Sequence, residues 1–190
     1  MASSRVSLPA APERLAVTQA LVDSGWRGDW KLTTGGLIAL DGCEGSLAQY
    51  IRAHGPLNYH QAVQLALNLG TQIVALAELG KGLISLRQDD VIVCSGFLIG
   101  DLSNTVALEG NQLEIVRAVD QHHCIAPEVE KLDTLPSVVH MSAIYYSIAV
   151  LCLECMDISR EMREIQGSKL YYLLDRCLRP DPQTREFLYI

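Results

Sequence analysis

Two groups of side chains in this sequence are of types that could do chemistry. Cys152 and Cys155 are spaced as a CxxC pair, and His122-His123-Cys124 offers three metal-ligating residues in a row. Together they would make a thiol redox couple or a zinc-type centre. A redox CxxC places its first thiolate at a helix N-terminus, where backbone N–H groups stabilise it, whereas this pair falls inside an apolar stretch. A zinc site needs a second, closing pair of ligands. The plainer reading, which the sequence favours, is two buried structural cysteines and two histidines on a surface loop. The second group is Asp89-Asp90 and Asp101, which could share a magnesium ion if a hairpin between them brings its ends together. Solvated carboxylates flanking a hairpin are the plainer alternative. The sequence has no GxGxxG or GxxxxGK[ST] phosphate loop and no GxSxG nucleophile elbow.

The elements that must position these groups follow from periodicity and punctuation. Residues 1–12 read as a flexible tail. Leu15, Val17, Ala20, Leu21 and Val22 recur at helical spacing over residues 13–24, and Gly25 ends the pattern. Residues 30–33 and 37–40 flank Thr34-Gly35-Gly36 and predict a β-hairpin. Ser46 is placed to cap a helix that runs to Gly55. After Pro56, the series Ala62, Leu65, Ala66, Leu69, Ile73, Leu76 and Leu79 predicts a long amphipathic helix closed by Gly80. Val91–Val93 and Phe97–Ile99 predict a second hairpin about Cys94-Ser95-Gly96. Residues 101–135 have mixed polarity and weak periodicity. Residues 141–156 are apolar on nearly all sides, as in a helix buried all round. Residues 168–178 predict an amphipathic helix stopped by Pro180 and Pro182.

Composition narrows the function classes. With 15 Lys+Arg against 22 Asp+Glu the 190-residue chain carries a net charge of −7, which argues against broad electrostatic binding to nucleic acid or anionic membrane. At 49% hydrophobic and a mean hydropathy of +0.17 it can supply a core for one domain, or one domain with a small appendage. The longest apolar run, residues 144–156, is interrupted by Glu154 and falls short of the about 20 residues a bilayer span needs, so a soluble protein is expected. The six cysteines lie in apolar stretches with no secretory signal at the start, which predicts reduced, buried thiols and a cytoplasmic location. The acid-free opening weakly resembles an organelle transit peptide; a frayed terminus is the plainer reading.

Taken in order, the pieces resemble the C-terminal lobe of a eukaryotic protein kinase over about residues 37–188. Residues 37–51 look like the last N-lobe strand, the hinge and the first C-lobe helix, and residues 58–80 like the long helix that follows. Ser85-Leu-Arg-Gln-Asp-Asp90-Val-Ile-Val93 falls on the catalytic loop and following strand, and Asp101-Leu102-Ser103 on the metal-binding DFG triplet. Ala126-Pro127-Glu128 matches the APE motif literally, and residues 146–150 resemble the start of the buried helix behind it. Residues 173–185 are similar to the closing segment, whose arginine, here Arg185, pairs with the APE glutamate, here Glu128. That pair is implied as a structural tie.

The departures bear on activity. The HRD triplet is Leu83-Ile84-Ser85 here, so Ser85 is a degenerate catalytic position in which a hydroxyl replaces the carboxylate that orients the substrate. The loop asparagine is Asp90 and the DFG glycine is Ser103. Asp101 keeps its identity, leaving Asp90 and Asp101 as weak metal candidates. Residues 13–41 supply one helix and one hairpin, resembling a remnant N-lobe without a glycine-rich loop or phosphate-binding lysine. The helix offers Gln19 but no central glutamate. A narrower resemblance is to the kinase non-catalytic C-lobe (KIND) domains, through Ser46-Leu47, Gly55-Pro56-Leu57-Asn58 and Gln61-Ala62.

The resulting expectation is a mainly α-helical, kinase C-lobe-like domain over residues 42–190, with small hairpins and the remnant N-lobe before it. Its implied role is a non-catalytic, pseudokinase-like interaction or regulatory module without cofactor, catalytic residue or metal. A protein partner or a second copy of the chain is expected, with no nucleic acid and no membrane. Leu86, Val91 and Phe97, on the floor of the nucleotide cleft, are the expected interface, with closure of helix 13–24 over that floor as the intramolecular alternative. Two other functions stay open: a mimic that binds and inhibits a genuine kinase, and a residual magnesium or nucleotide enzyme using Asp90 and Asp101.

Overall fold

Ser4–Pro9 forms a strand, β1, in the computed structural model, which describes residues 4–189. This corrects the expected tail over residues 1–12: Val6 and Leu8 turn partly inward while Arg5 and Ser7 face solvent, the alternation of a half-buried strand. Residues 1–3 of the expected tail lie outside the described residues. Pro12 opens helix α1 (Pro12–Asp23), its preset φ suiting the first helical position. One face of α1 buries Arg14, Val17, Thr18 and Leu21. Strands β2 (Trp30–Leu32) and β3 (Leu37–Cys43) follow, joined through a turn in which Gly36 adopts φ +70°. The sheet order is β1-β3-β2, antiparallel throughout, with Val6 opposite Leu40 and Leu32 opposite Ile38. Strand β3 runs through the expected domain boundary at residues 41/42.

Helices α2 (Leu47–His54) and α3 (Tyr59–Glu78) both begin with capping boxes. Ser46 Oγ accepts from Gln49 N while Gln49 Oε1 accepts from Ser46 N, and Asn58 and Gln61 exchange the same two bonds. Each box satisfies two orphan backbone donors, and loss of such a cap costs about 1 kcal/mol. Short strands β4 (Lys81–Leu83), β5 (Val91–Val93) and β6 (Phe97–Ile99) come next, with β5 and β6 forming the expected hairpin. Strands β7 (Thr105–Glu109) and β8 (Gln112–Ile115) precede the single turn α4 (Pro127–Glu130) and strand β9 (Ser137–His140). Helices α5 (Ala143–Met156) and α6 (Lys169–Cys177) complete the chain.

The fold is mixed α/β, 41% helical and 21% strand in three sheets, not mainly α. The difference lies chiefly in an antiparallel sheet of order β4-β7-β8-β9, whose two middle strands come from the region whose periodicity is weak. Its strands are 3 to 5 residues long and one face is wet, so Leu113 and Val139 pair inside while Glu114 and Val138 pair outside. Alternation over so few residues does not stand out from loop.

A continuous core joins all these parts. It includes Val17 and Leu21 of α1, Ile38 and Leu40 of β3, Leu65, Leu69 and Leu76 of α3, Leu98 of β6, and Ile148 and Leu151 of α5. Helix α5 is buried nearly all round, and the buried hydroxyl of Ser147 accepts from Leu86 N at 2.8 Å. Leu86, Val91 and Phe97 are core residues, only 1%, 0% and 4% exposed; as an exposed cleft floor they are corrected, because α1 and α3 pack on β6, α2 packs on β5, and Leu86 is tied to Ser147 of α5. The expectation of six reduced thiols is corrected too. Cys43 at the end of β3 and Cys94 in the β5–β6 turn form a buried disulfide, leaving Cys124, Cys152, Cys155 and Cys177 as buried thiols. Among the described residues no helix is long and apolar enough to cross a membrane.

Candidate functional site

The loop after β4 and the hairpin that follows it carry most of the candidate residues. A 3-10 turn over Gln88–Asp90 folds the Asp90 carboxylate back onto Arg87. Asp90 Oδ2 accepts from Arg87 N at 2.7 Å, and Asp90 Oδ1 accepts from Arg87 Nη2 at 3.3 Å. Asp90 is 4% exposed, so these bonds take up a carboxylate that would otherwise be costly to bury. The same contact holds the Arg87 guanidinium above its usual range.

Asp101 sits close by along the backbone, since both Gly100 N and Asp101 N donate to the Asp90 carbonyl, at 2.6 and 3.0 Å. Its side chain differs from that of Asp90 in being exposed, with Oδ1 accepting from Ser103 N at 2.7 Å in a local turn. Among the described residues neither carboxylate belongs to a group of three ligating side chains. Asp89, the other acidic candidate, is exposed and accepts from Ser46 Oγ at 3.1 Å.

Helix α1 closes over the end of this hairpin through a residue the sequence reading did not single out. Arg14 donates from Nη1 to the Ile99 carbonyl and from Nη2 to the Gly100 carbonyl. It is 6% exposed, and burial pulls its guanidinium below the usual range while Asp101 opposes that pull. Its signal was available, because Arg14 precedes Val17 and Leu21 by three and seven residues, on the face that those apolar residues mark as buried. From the other side, Gln72 of α3 donates to the Phe97 carbonyl and accepts from Ile99 N, both at 2.8 Å. Trp26 Nε1 donates to the Cys94 carbonyl at the hairpin's turn. The packing is close there, since a Cβ added to Gly96 would lie 2.8 Å from Trp26 Cδ1.

Ser85 is 1% exposed and shares a hydrogen bond of 3.0 Å with His122 Nε2. His122 is therefore half-buried inside the molecule rather than on a surface loop. Burial foremost, and then the nearby Arg87 charge, lower its affinity for a proton, so the ring is neutral near neutral pH. Its Nδ1 is buried with no partner among the described residues, so none of them orients the ring as the third member of a nucleophilic triad would.

Glu128 and Arg185 come together as a forked ion pair, Nη1 to Oε1 at 2.5 Å and Nη2 to Oε2 at 2.9 Å. The CxxC cysteines are remote from such chemistry: burial drives the thiols of Cys152 and Cys155 far above their usual range, which leaves no thiolate for redox exchange. No protein-family profile matches the chain and no curated protein matches it.

Proposed function

We propose that this chain is a non-catalytic interaction or regulatory module built on a kinase-like C-terminal lobe, without useful affinity for Mg-ATP and without phosphoryl transfer. The observation that carries the reading is the state of Asp90. At the loop position where the resemblance expects a metal ligand, a buried carboxylate is fully engaged by Arg87. A magnesium ion would have to take the buried carboxylate from both the Arg87 backbone N–H and its guanidinium.

Two further features support the reading. Phosphoryl transfer depends on positioning and charge stabilisation. The hydroxyl of Ser85, bonded to a neutral histidine, supplies neither the charge nor the reach of a catalytic carboxylate. Arg14 also occupies the carbonyls at the end of β6, on the floor where the resemblance puts a nucleotide.

The partner in this reading is a protein. Strand β9 is an outer strand of its sheet, its wet face presents Val138 at 57% exposure, and Val116, one residue past the end of β8, is 62% exposed. An open edge flanked by exposed apolar side chains is the kind of surface that proteins bind. We place the molecule in the cytoplasm on its four free thiols, the Cys43–Cys94 bridge being buried where a reductant has little access.

Isothermal titration of the full chain with Mg-ATP tests the proposal. No saturable heat is expected. A dissociation constant below about 100 μM, roughly −5.5 kcal/mol, that is lost in Asp101→Asn would overturn it in favour of a residual nucleotide enzyme.

A further inference from the structure

One cluster of ligating side chains plays no part in the reading above. The turn at residues 123–124, closed by Ile125 N donating to the His122 carbonyl at 3.1 Å, directs two consecutive side chains toward α5. His123 Nε2 lies 2.8 Å from Glu154 Oε1, and Cys124 Sγ lies 3.7 Å from Glu154 Oε2. All three ligand atoms fall within 4.8 Å of one another. A tetrahedral zinc with bonds of about 2.0–2.3 Å places its ligand atoms roughly 3.3–3.7 Å apart, so small side-chain adjustments convert this cluster into three corners of a tetrahedron.

We propose that His123, Cys124 and Glu154 bind a thiol-seeking divalent transition metal, zinc being the ion their mixed set suits best, with the fourth position left to water or an external ligand. One imidazole nitrogen, one sulfur and one carboxylate oxygen select zinc and cobalt over magnesium or calcium, which take oxygen. Burial is graded as an entry path requires. Cys124 is fully buried, Glu154 keeps 35% of its side chain exposed and His123 keeps 63%. His123 also lines a cavity of about 420 Å³ with Gln121, His122, Tyr146 and Arg160, and the exposed sides of His123 and Glu154 leave the cluster open to solvent. Glu154 stands in the last turn of α5, where the helix dipole favours a cation. Arg160, the cation that bears on Cys124, is engaged with the Tyr146 hydroxyl at 2.7 Å. On binding, the hydrogen bond from Cys124 to Glu154 is exchanged for a sulfur–metal bond and the thiol proton leaves to solvent. The metal changes no oxidation state.

Titrating the metal-free full chain with cobalt(II) tests this. A single equivalent is expected to give the near-ultraviolet charge-transfer band of a cobalt–thiolate bond, and zinc is expected to displace the cobalt and bleach it. Cys124→Ser should lose the band. His123→Gln and Glu154→Gln should keep it but bind more weakly, by at least the roughly tenfold that losing a mere hydrogen-bond partner of a ligand costs. His123 is exposed, so its variant reads the site even if Cys124→Ser fails to fold. No band with excess cobalt, a band that survives in folded Cys124→Ser, or unchanged affinity in both other variants would each overturn the proposal. None of these outcomes bears on the proposed lack of affinity for Mg-ATP, which the titration with Mg-ATP tests separately.

Discussion

Arg185 and Glu128, 57 residues apart in sequence, meet in a two-pronged ion pair in which the arginine side chain is wholly buried and the glutamate keeps 21% exposure. The same guanidinium donates from Nε to the Arg179 carbonyl at 2.7 Å and lies 5.0 Å above the Tyr146 ring. One side chain thus ties the chain's last segment to α4 and α5. Removing one partner of a buried pair leaves the other uncompensated, at a cost of about 3–5 kcal/mol. Arg185→Ala is expected to lower the urea midpoint accordingly. Glu128→Ala should cost at least as much, because it strands the more deeply buried charge. Equal midpoints for wild type and both variants would show that the pair contributes nothing.

Arg14 is expected to behave as a structural residue. Arg14→Leu leaves the buried Ile99 carbonyl without its Arg14 donor, at about 1–3 kcal/mol for an unsatisfied buried group, and frees the half-buried Gly100 carbonyl at less cost, whereas Arg14→Lys should recover part of the loss. Chemical denaturation of the three proteins at one pH measures the series. If Arg14→Leu is as stable as wild type, α1 does not close the hairpin through this contact.

The cysteines can be counted. Burial and the neighbouring Glu154 push the Cys124 thiol up to about 12, and burial pushes the Cys177 thiol up to about 12. Native protein at neutral pH should therefore react slowly with an alkylating reagent. After denaturation without reductant the mass should rise by four adducts, for Cys124, Cys152, Cys155 and Cys177. With reductant it should rise by six, once Cys43 and Cys94 are released. Six adducts without reductant would mean the bridge is not formed.

His122 predicts a pH dependence of definite sign. Its folded-state proton affinity is lowered, by burial first, with Arg87 and His123 acting in the same direction and Asp90 and Asp120 opposing them. Between its folded and unfolded pKa values the unfolded chain holds the extra proton, so this contribution is full above the unfolded value of about 6.5 and is lost as the pH falls below it. The urea midpoint of wild type should drop on going from neutral pH to pH ~5 by more than that of His122→Asn. Parallel curves for the two proteins would remove His122 from the account.

Much of the helical framework was legible because its signals are local. Asn58 and Gln61 cap α3 from three residues apart, Ser46 and Gln49 do the same for α2, the apolar series of α3 repeats over enough turns to declare a helix, and α5 is one long apolar run. The β5–β6 hairpin needed only the turn between its strands. Contacts between distant segments were beyond that reach. Strand β1 is held by β3, some 30 residues on, and β9 by β8 across the loop that carries α4; six residues or fewer of weak alternation do not announce a partner so far away. The site divides in the same way. Residue types showed that Ser85 is no catalytic carboxylate and that Asp90 and Asp101 are the acidic groups of the loop. Only packing decided that Asp90 is bonded to Arg87, that Arg14 reaches carbonyls 85 and 86 residues away, and that Leu86 and Phe97 are core. The reason is physical: periodicity reports which face of an element avoids water, whereas the particular surface that covers that face is chosen by the whole folded chain.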